Sequence, residues 1–304
     1  MEPSRCAATT SSDPAPLICS RRNPLVRQLR QLHDGRARRE QGLLLLEGTH
    51  LLQEVIRLGL VPRHLLATDP WMQSHQALLD ALPPGCRLHR VSEEVLQAVA
   101  TTQHPDGVVA SLEPPVIASG AGGGLAEITH PEITHPEVTS PGVMKPVDFW
   151  LVLDTIQDPG NLGTLMRTAL AAGVRSLWLA DGADPHQPKV LRASAGAALA
   201  LPLWRGSRAE LAERLALLRD RHGVQLLATV PPEQGGRPYW QLDWTAPTAL
   251  LLGSEGTGLA RELQALASQR VTVPHSPAVE SLNVAVAAAP LLLERLRQER
   301  MPAS

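Results

Sequence analysis

The chain has 304 residues, an apolar fraction of 43% and a formal net charge of −2 at pH 7. This length and apolar content suffice for two globular domains and exclude an intrinsically disordered protein. The small net charge excludes a strong global field as a mark of a nucleic-acid partner. Lys145 and Lys189 are the only lysines, and the other basic side chains, histidines aside, are arginines. The planar arginine fork suits phosphates and base edges, although an arginine-rich genome gives the same bias.

The cysteines do not form a recognisable pattern. Cys6, Cys19 and Cys86 are odd in number and lack metal-ligand spacing, which argues against a disulfide framework and against a zinc site. We therefore predict no metal and a reducing, cytoplasmic setting. The longest apolar run, at residues 284–293, has about half the length of a bilayer span. The N-terminus has no apolar signal segment, so neither a membrane anchor nor secretion is predicted.

The N-terminal segment divides into a tail and a basic helix. Residues 1–22 are rich in Ser, Pro, Ala and Thr, which predicts a flexible tail. Asn23 and Pro24 are typical of an N-cap and a first helical position, and Leu25, Leu29 and Leu32 follow at helical spacing. The charged side of this segment carries Arg22, Arg27, Arg30, Arg36, Arg38 and Arg39. Such a run is typical either of a solvated helix face or of a surface that binds RNA.

Residues 23–113 alternate between strand and helix patterns. The apolar run at residues 43–46 predicts a buried strand, and Thr49 is the predicted N-cap of the helix that follows. Further strands are predicted at residues 65–68, 87–91 and 108–112, with a helix at residues 92–100. This pattern predicts a small α/β domain.

Residues 114–147 break the alternation. Glycines dominate residues 120–124, and a five-residue repeat that ends in proline occupies residues 127–141. Proline at every fifth position prevents a helix, so we predict a semi-extended linker between domains. The two histidines of the repeat have no supporting ligands, and no metal site is predicted there.

Residues 148–304 read as a second α/β domain. Strands are predicted at residues 149–153, 176–179, 225–229, 249–252 and 270–273, and a helix at residues 162–172. Strands that alternate with helices are typical of a parallel sheet covered on both faces. In that architecture ligands bind at the carboxyl ends of the strands.

Three short signatures fall at such strand ends. They are Asp154-Thr155-Ile156-Gln157-Asp158-Pro159-Gly160-Asn161-Leu162-Gly163 running on to Arg167, then Gly253-Ser254-Glu255-Gly256, and then Ser281-Leu282-Asn283-Val284. Each residue alone also fits a structural role: Asn161 could cap a helix, and glycines form turns. The glycine spacing excludes a dinucleotide fingerprint, and the chain has no Walker loop.

The ordered signatures resemble those of the SpoU/TrmH family of RNA ribose methyltransferases in the SPOUT superfamily. The resemblance covers residues 149–298 and includes Ser194-Ala195-Gly196-Ala197 between the first two signatures. The N-terminal domain resembles the small RNA-binding domain, like that of a ribosomal protein, that often precedes the family domain. The resemblance implies a parallel-sheet domain whose C-terminal stretch threads a loop to form a trefoil knot, although knots are rare in proteins.

The resemblance also implies a methyl donor and a set of site residues. The donor would be S-adenosylmethionine, contacted at Gly253, Val273 and Leu282. Arg167 matches the family's proposed base, but a guanidinium keeps its proton up to about pH 12, so it either acts as the base or stabilises a developing alkoxide. The positions that would orient Arg167, the donor or the ribose are Asn161, Glu255, Ser281 and Asn283. The family usually works as a homodimer, with Arg167 acting across the interface.

We therefore predict an S-adenosylmethionine-dependent enzyme that methylates a ribose 2′-hydroxyl in 23S ribosomal RNA. Transfer RNA is the alternative substrate, and a catalytically silent RNA-binding or ribosome-assembly factor is the alternative function. A nucleotide-dependent oxidoreductase also fits the α/β pattern but lacks a phosphate loop. Pro290 is predicted to kink the final helix, because proline removes a backbone hydrogen bond.

Overall fold

The structure is a computed structural model that describes residues 16–115, 117–119 and 149–300. Two compact units divide the chain, Met1–Glu113 and Pro114–Ser304. The predicted repeat at residues 127–141 and the first 15 residues of the predicted tail lie outside the described residues.

The N-terminal unit is a four-stranded sheet with helices. Its elements are α1 Pro24–Gln31, α2 Gly35–Gln41, β1 Leu44–Glu47, α3 Thr49–Arg57, β2 His64–Ala67, α4 Asp69–Ser74, α5 Gln76–Asp80, β3 Arg87–Arg90, α6 Glu93–Val99 and β4 Val108–Leu112. The strand order is β1-β4-β2-β3; β4 is antiparallel to β1 and β2, and β2 is parallel to β3. The predicted strands are present with ends that differ by at most one residue.

Helix α1 is amphipathic, as its leucine spacing predicts. Asn23 caps it, since the Asn23 side chain accepts a hydrogen bond of 2.9 Å from the Leu25 N–H. Val26 and Leu29 are buried in the core, whereas Arg27 and Arg30 lie on the exposed side. Arg27 and Arg30 therefore take no part in the packing of α1 against the core.

Two predictions for this unit are wrong in detail. Ile18 lies in the predicted tail, yet its N–H donates to the Arg90 carbonyl at 2.9 Å and its carbonyl accepts from the Ser92 N–H at 3.1 Å. This backbone pairing orders a segment whose side-chain composition gives no signal. Helix α3 begins at Thr49 and its N-cap is Gly48; the Thr49 N–H is held by Asp106 at 2.8 Å.

The second unit is built on an eight-stranded sheet. Its elements are β5 Ile117–Ser119, β6 Phe149–Asp154, α7 Pro159–Ala171, β7 Ser176–Ala180, α8 Pro188–Ala193, α9 Ala197–Ala200, β8 Leu203–Gly206, α10 Arg208–His222, β9 Gln225–Thr229, β10 Arg237–Pro238, β11 Thr248–Leu252, α11 Arg261–Leu266, β12 Gln269–Thr272 and α12 Val284–Arg300, with short 3-10 helices at Pro232–Gln234 and Tyr239–Gln241. The strand order is β10-β12-β9-β11-β6-β7-β8-β5, and every neighbouring pair is parallel. The predicted trefoil knot stays a prediction.

The centre of this sheet is apolar on both faces. Every residue of β6, β7 and β11 is buried, as strands covered by helices on both sides require. One face carries a row of tryptophans, Trp150, Trp178 and Trp204, with ring centroids about 6 Å apart. The Arg214 guanidinium of α10 lies 5.0 Å from the Trp178 ring and 5.1 Å from the Trp204 ring. A cation stacked on aromatic faces is attracted by their quadrupoles, which fixes α10 to the sheet.

Four features of this unit differ from the sequence predictions or extend them. Strand β5 pairs with β8 although it lies in the predicted linker, so the linker prediction is wrong for residues 117–119. Strand β8 was not predicted. Helix α7 begins three residues before the predicted start and is capped by Asp158, because Pro159 and Gly160 form its first turn. The final helix runs on through Pro290 to Arg300.

Gly163 of the first signature packs α7 against α8, which makes it a test of this contact. A Cβ added at Gly163 would lie 2.5 Å from the Ala193 Cβ and 2.9 Å from the Ser194 backbone nitrogen. We expect Gly163→Ala to destabilise the protein, since overpacking costs about 1–3 kcal/mol and outweighs a helix-propensity gain of about 1 kcal/mol. Thermal unfolding followed by circular dichroism measures the loss. Gly256→Ala is the matched control, because its added Cβ meets nothing within 4 Å. Equal thermal unfolding midpoints for the two variants would contradict the close packing at Gly163.

Candidate active site

Parallel pairing of β6 and β11 brings two signatures together. Leu153 lies opposite Leu252 in the register, so both strands end at the same edge of the sheet. The first signature begins at the last residue of β6 and the second follows β11. The candidate site therefore lies at the carboxyl ends of the central strands, where open α/β sheets bind ligands.

Asn161 is placed by the first turn of α7. The Asp158 side chain accepts a hydrogen bond of 2.8 Å from the Asn161 N–H, which caps the helix and corrects the prediction that Asn161 is the cap. This bond, more than the nearby charge of Lys189, holds the pKa of Asp158 below its ordinary value. Because Asp158 does the capping, the Asn161 side chain is available for other partners.

The Asn161 amide links all three signatures. Its Nδ2 donates to Glu255 Oε1 at 2.7 Å, and its Oδ1 accepts from Asn283 Nδ2 at 2.9 Å. Asn283 in turn accepts from the backbone N–H groups of Ala285 and Val286 at 3.0 and 3.2 Å, which caps α12. Three side chains from distant parts of the sequence thus form one hydrogen-bonded chain, which joins the three ordered signatures. We call Glu255, Asn161 and Asn283 the amide chain.

A cavity of about 340 Å³ opens beside the amide chain. The predicted donor contacts Gly253, Val273 and Leu282 all line it, together with Glu255 and Ser281. Arg167, Asn161 and Asn283 are not among its lining residues. The structure therefore brings five of the eight predicted site residues to one cavity. Its volume lies within the range of small-molecule sites, about 300–1,000 Å³.

The charge of this cavity favours a cationic ligand. Glu233, Glu255 and Glu280 line it, and its lining includes neither lysine nor arginine. A nucleotide phosphate would be repelled here, which argues against the oxidoreductase alternative. Thr272 also lines the cavity and is 4% exposed, and its hydroxyl has no hydrogen-bond partner within the described part of the chain. A buried hydroxyl without a partner is costly unless a ligand or water satisfies it.

Gly253 is required by the packing of the loop that follows β11. A Cβ at Gly253 would overlap the backbone of Gly258 and Leu259, so no other residue type fits without movement. Ser254 and Gly258 exchange backbone hydrogen bonds of 3.2 and 3.0 Å, which closes a tight loop. Glu255 lies at the exposed tip of this loop, and its carboxylate meets Asn161 there.

Arg167 does not join the amide chain. It lies on the exposed side of α7, and among the described residues its guanidinium has no hydrogen-bond partner. Six residues along a helix advance about 9 Å and rotate about 240°, so Arg167 and Asn161 face different directions. Ser281 is also exposed, at the rim of the cavity.

Sequence reasoning missed the role of Asp154. This residue ends β6 and its side chain is 1% exposed. It forms an ion pair of 2.9 Å with Arg208 and accepts from the Ala260 N–H at 2.9 Å. The available signal was a carboxylate at the end of an apolar strand, at the first residue of the first signature.

Comparison with known proteins identifies the family. Residues 148–293 match the SpoU rRNA Methylase family, and residues 23–110 match the MRM3-like substrate binding domain. A tRNA/rRNA methyltransferase of Synechocystis sp., itself uncharacterized, is 41% identical over 293 residues, which are 93% of this chain and 94% of that protein. The chain belongs to the SpoU rRNA methylase family.

Two further SpoU relatives cover almost the whole chain. The 23S rRNA (guanosine(2553)-2′-O)-methyltransferase RlmP of Bacillus subtilis is 29% identical and covers 92% of this chain and 98% of its own. The AdoMet-bound rRNA methyltransferase of Sinorhizobium meliloti superimposes with a TM-score of 0.73 at 27% identity, over 93% of this chain and 98% of that one. The predicted family and α/β fold class are confirmed.

The protein is an S-adenosylmethionine-dependent RNA methyltransferase of the SpoU family. The cavity suits this donor, because its carboxylates favour the positive sulfonium and ammonium groups. Gly253 has no side chain, so its backbone groups are accessible to a ligand in the cavity. The Thr272 hydroxyl, which has no partner among the described residues, is a further polar group for the donor. Gly253, Val273 and Leu282 line this cavity, and their role as donor contacts stays a prediction.

The described residues contain neither a membrane-spanning helix nor a cluster of metal ligands. Within the described residues, no helix combines the length and apolar character that crossing a bilayer requires. In the same part of the chain, no three His, Cys, Asp or Glu side chains cluster closely enough to hold a metal ion.

Asn161→Asp tests whether the amide chain matters for activity. The new carboxylate would have no N–H to donate to Glu255 and would repel it, because both groups carry negative charge. A hydrogen bond to a charged group contributes about 1.5–3 kcal/mol. We expect methyl transfer to fall by about 10- to 100-fold. Single-turnover transfer of labelled methyl measures this. Asn23→Asp is the matched control, because Asp and Asn are equally good N-caps; an equal effect of both changes would contradict the assignment.

Proposed function

We propose that the protein methylates a ribose 2′-hydroxyl of 23S ribosomal RNA. The observation that carries the proposal is the amide chain, which joins three signatures beside a cavity suited to the methyl donor. The name of the Bacillus subtilis relative, a 23S rRNA 2′-O-methyltransferase, supports the choice of substrate. Transfer RNA is the alternative substrate.

The reaction requires alignment of the ribose oxygen with the methyl group and loss of the hydroxyl proton, which passes to solvent water. S-adenosylmethionine supplies an electrophilic methyl group that leaves a neutral thioether when the ribose oxygen attacks in line. Gly253, Val273 and Leu282 hold the donor, and alignment of this kind lowers the barrier of a bimolecular step. Asn161, Glu255, Ser281 and Asn283 orient the reacting groups.

Arg167 acts on the ribose oxygen or the neighbouring phosphate. Arginine side chains are cationic in proteins, so Arg167 stabilises the developing alkoxide electrostatically. Because Arg167 faces away from Asn161 on α7, we propose that it serves a site completed by a second copy of the chain. A homodimer is therefore part of this proposal.

A strip of exposed apolar side chains supports the homodimer. Val286 is 60% exposed and Leu293 is 48% exposed, and both lie on α12. Seven residues make two helical turns, so the two side chains share one face. Helix α12 packs against α7, the helix that carries Arg167. The strip therefore lies on a helix that contacts the helix carrying Arg167.

The N-terminal unit supplies a surface for RNA. Arg27 and Arg30 are exposed on α1 and line an open notch with Gln31 and His33. Neither arginine has a hydrogen-bond or ion-pair partner in the portion of the chain that is described. Unpaired arginines are suited to phosphates, so we propose that α1 contacts the RNA backbone. With ribosomal RNA as the substrate and free Cys19 and Cys86, we propose a cytoplasmic location.

Methyl transfer to separated 23S ribosomal RNA and transfer RNA tests the proposed function. Labelled product from 23S RNA that resists alkaline cleavage is expected, because this cleavage needs a free 2′-hydroxyl. Arg167→Ala is expected to lower the transfer rate about 100-fold or more with donor affinity unchanged. The matched control is Arg221→Ala, another exposed arginine, on α10. Transfer only to transfer RNA would support the alternative substrate, and donor binding without any transfer would support a silent factor.

Leu293→Asp tests the proposed dimer. A charge in the centre of a buried apolar face is costly, so this change is expected to convert a dimer into monomers. Sedimentation equilibrium measures the mass of both forms. Leu217→Asp is the matched control, since Leu217 is 40% exposed on α10. A monomeric wild type, or a dimer that survives Leu293→Asp, would overturn the proposal.

A further inference from the structure

Asp154 is a buried carboxylate that takes no direct part in the chemistry above. Its side chain is 1% exposed at the carboxyl end of β6. Burial of a carboxylate is costly unless its oxygens are paired and hydrogen-bonded. The partners of Asp154 come from three separate segments of the chain.

Each oxygen of Asp154 has an assigned partner. Oδ1 accepts from Arg208 Nε at 2.9 Å and from Thr155 Oγ1 at 2.9 Å. Oδ2 accepts from the Ala260 backbone N–H at 2.9 Å. Arg208 also donates to Thr155 Oγ1 at 3.0 Å. The carboxylate therefore ties the end of β6 to the start of α10 and to the segment before α11.

Thr155 has a backbone conformation that a β-branched residue disfavours. Its φ is +60°, which is unusual for a β-branched residue. The Thr155 N–H donates to the Ala180 carbonyl at 2.9 Å, and its hydroxyl joins the Asp154 and Arg208 bonds. Strained backbone of this kind persists only where the surroundings over-determine it.

Ala260 ends the loop that begins at Gly253. The near end of this loop is fixed by the pairing of β11 with β6, and its middle is closed by the Ser254 and Gly258 hydrogen bonds. Leu259 is 4% exposed and packs in the core. The Ala260 N–H then meets Asp154. Asp154 is therefore the anchor of the far end of the loop.

We propose that Asp154 is a positioning residue that, with Arg208, holds residues 253–260 in the conformation that binds S-adenosylmethionine. This inference rests on the proposed donor site at Gly253. Without the anchor the loop populates other conformations, and donor affinity falls in proportion to the population that can bind. The methyl-transfer rate of the loaded enzyme is then unchanged, because bound donor restores the loop and with it the contact of Glu255 with Asn161.

The test combines donor affinity, transfer rate and local hydrogen exchange in the full chain. Asp154→Asn is expected to raise the Kd for S-adenosylmethionine about tenfold, with the single-turnover rate at saturating donor within about twofold of wild type. Amide exchange in peptides that cover residues 253–262 is expected to become faster, and saturating donor is expected to restore protection. Peptides from β7 and β9 are expected to exchange as in wild type.

Asp243→Asn is the matched control. It makes the same chemical change in the segment before β11, where Asp243 accepts from the Thr245 N–H at 2.8 Å. We expect its donor Kd and exchange at residues 253–262 to equal wild type. Arg208→Ala is the second variant, and it keeps the proposal testable if Asp154→Asn does not fold. It removes the Arg208 contacts with Asp154 and Thr155 but leaves the Ala260 hydrogen bond to Asp154, so a smaller rise in Kd is expected.

The outcomes separate this inference from the proposed function. An unchanged Kd in Asp154→Asn, or faster exchange spread equally over the whole second unit, would overturn the positioning role. A fall in the saturated rate at constant Kd would also overturn it. If the wild-type protein does not bind S-adenosylmethionine, the proposed donor site fails first. In the double variant that combines Asp154→Asn with Arg208→Ala, a rise in Kd beyond that of Asp154→Asn alone would show that Arg208 does not act through Asp154.

Discussion

Parallel hydrogen bonding between β6 and β11 is the constraint on which the second unit depends. It joins strands that are separated by almost a hundred residues, and its register sets Leu153 opposite Leu252. As a consequence Asp154 and Gly253 lie side by side at the ends of the two strands, and the loops that follow them share one edge of the sheet. The amide chain forms because of this register, since a shift of one residue would turn every side chain of β11 to the opposite face.

Much of this arrangement could be predicted from the sequence, because strand ends in a parallel sheet meet at one edge. The convergence of the signatures that carry Asn161, Glu255 and Asn283 was of this kind. The donor contacts Gly253, Val273 and Leu282 were implied by the family resemblance, and the structure places all three at one cavity. Their chemical roles stay predictions.

Other features depended on partners that local pattern does not reveal. Ile18 and β5 are ordered by backbone pairing with distant strands. Asp158, not Asn161, caps α7, and both residue types are equally good N-caps, so sequence could not distinguish them. Asp154 acquires its role from partners 54 and 106 residues away.

The arginine bias of the chain has a partly structural explanation. Arg38 is buried and donates to the Leu32 and His33 carbonyls. Arg214 stacks on tryptophan rings, and the Arg295 guanidinium lies 4.5 Å from the Phe149 ring. These contacts use the planar, weakly hydrated guanidinium, which a lysine ammonium does not reproduce. Phosphate recognition therefore accounts for only part of the arginine content.

The outermost strands of the second sheet limit how the protein can assemble. Strand β10 has two residues, Arg237 and Pro238, and proline has no N–H to donate. Strand β5 at the other edge has three residues. Edges this short offer few unpaired backbone groups, so another chain gains little by extending the sheet. Association between copies is therefore expected through helical faces and not through strand addition. The short edges also disfavour fibrous aggregation.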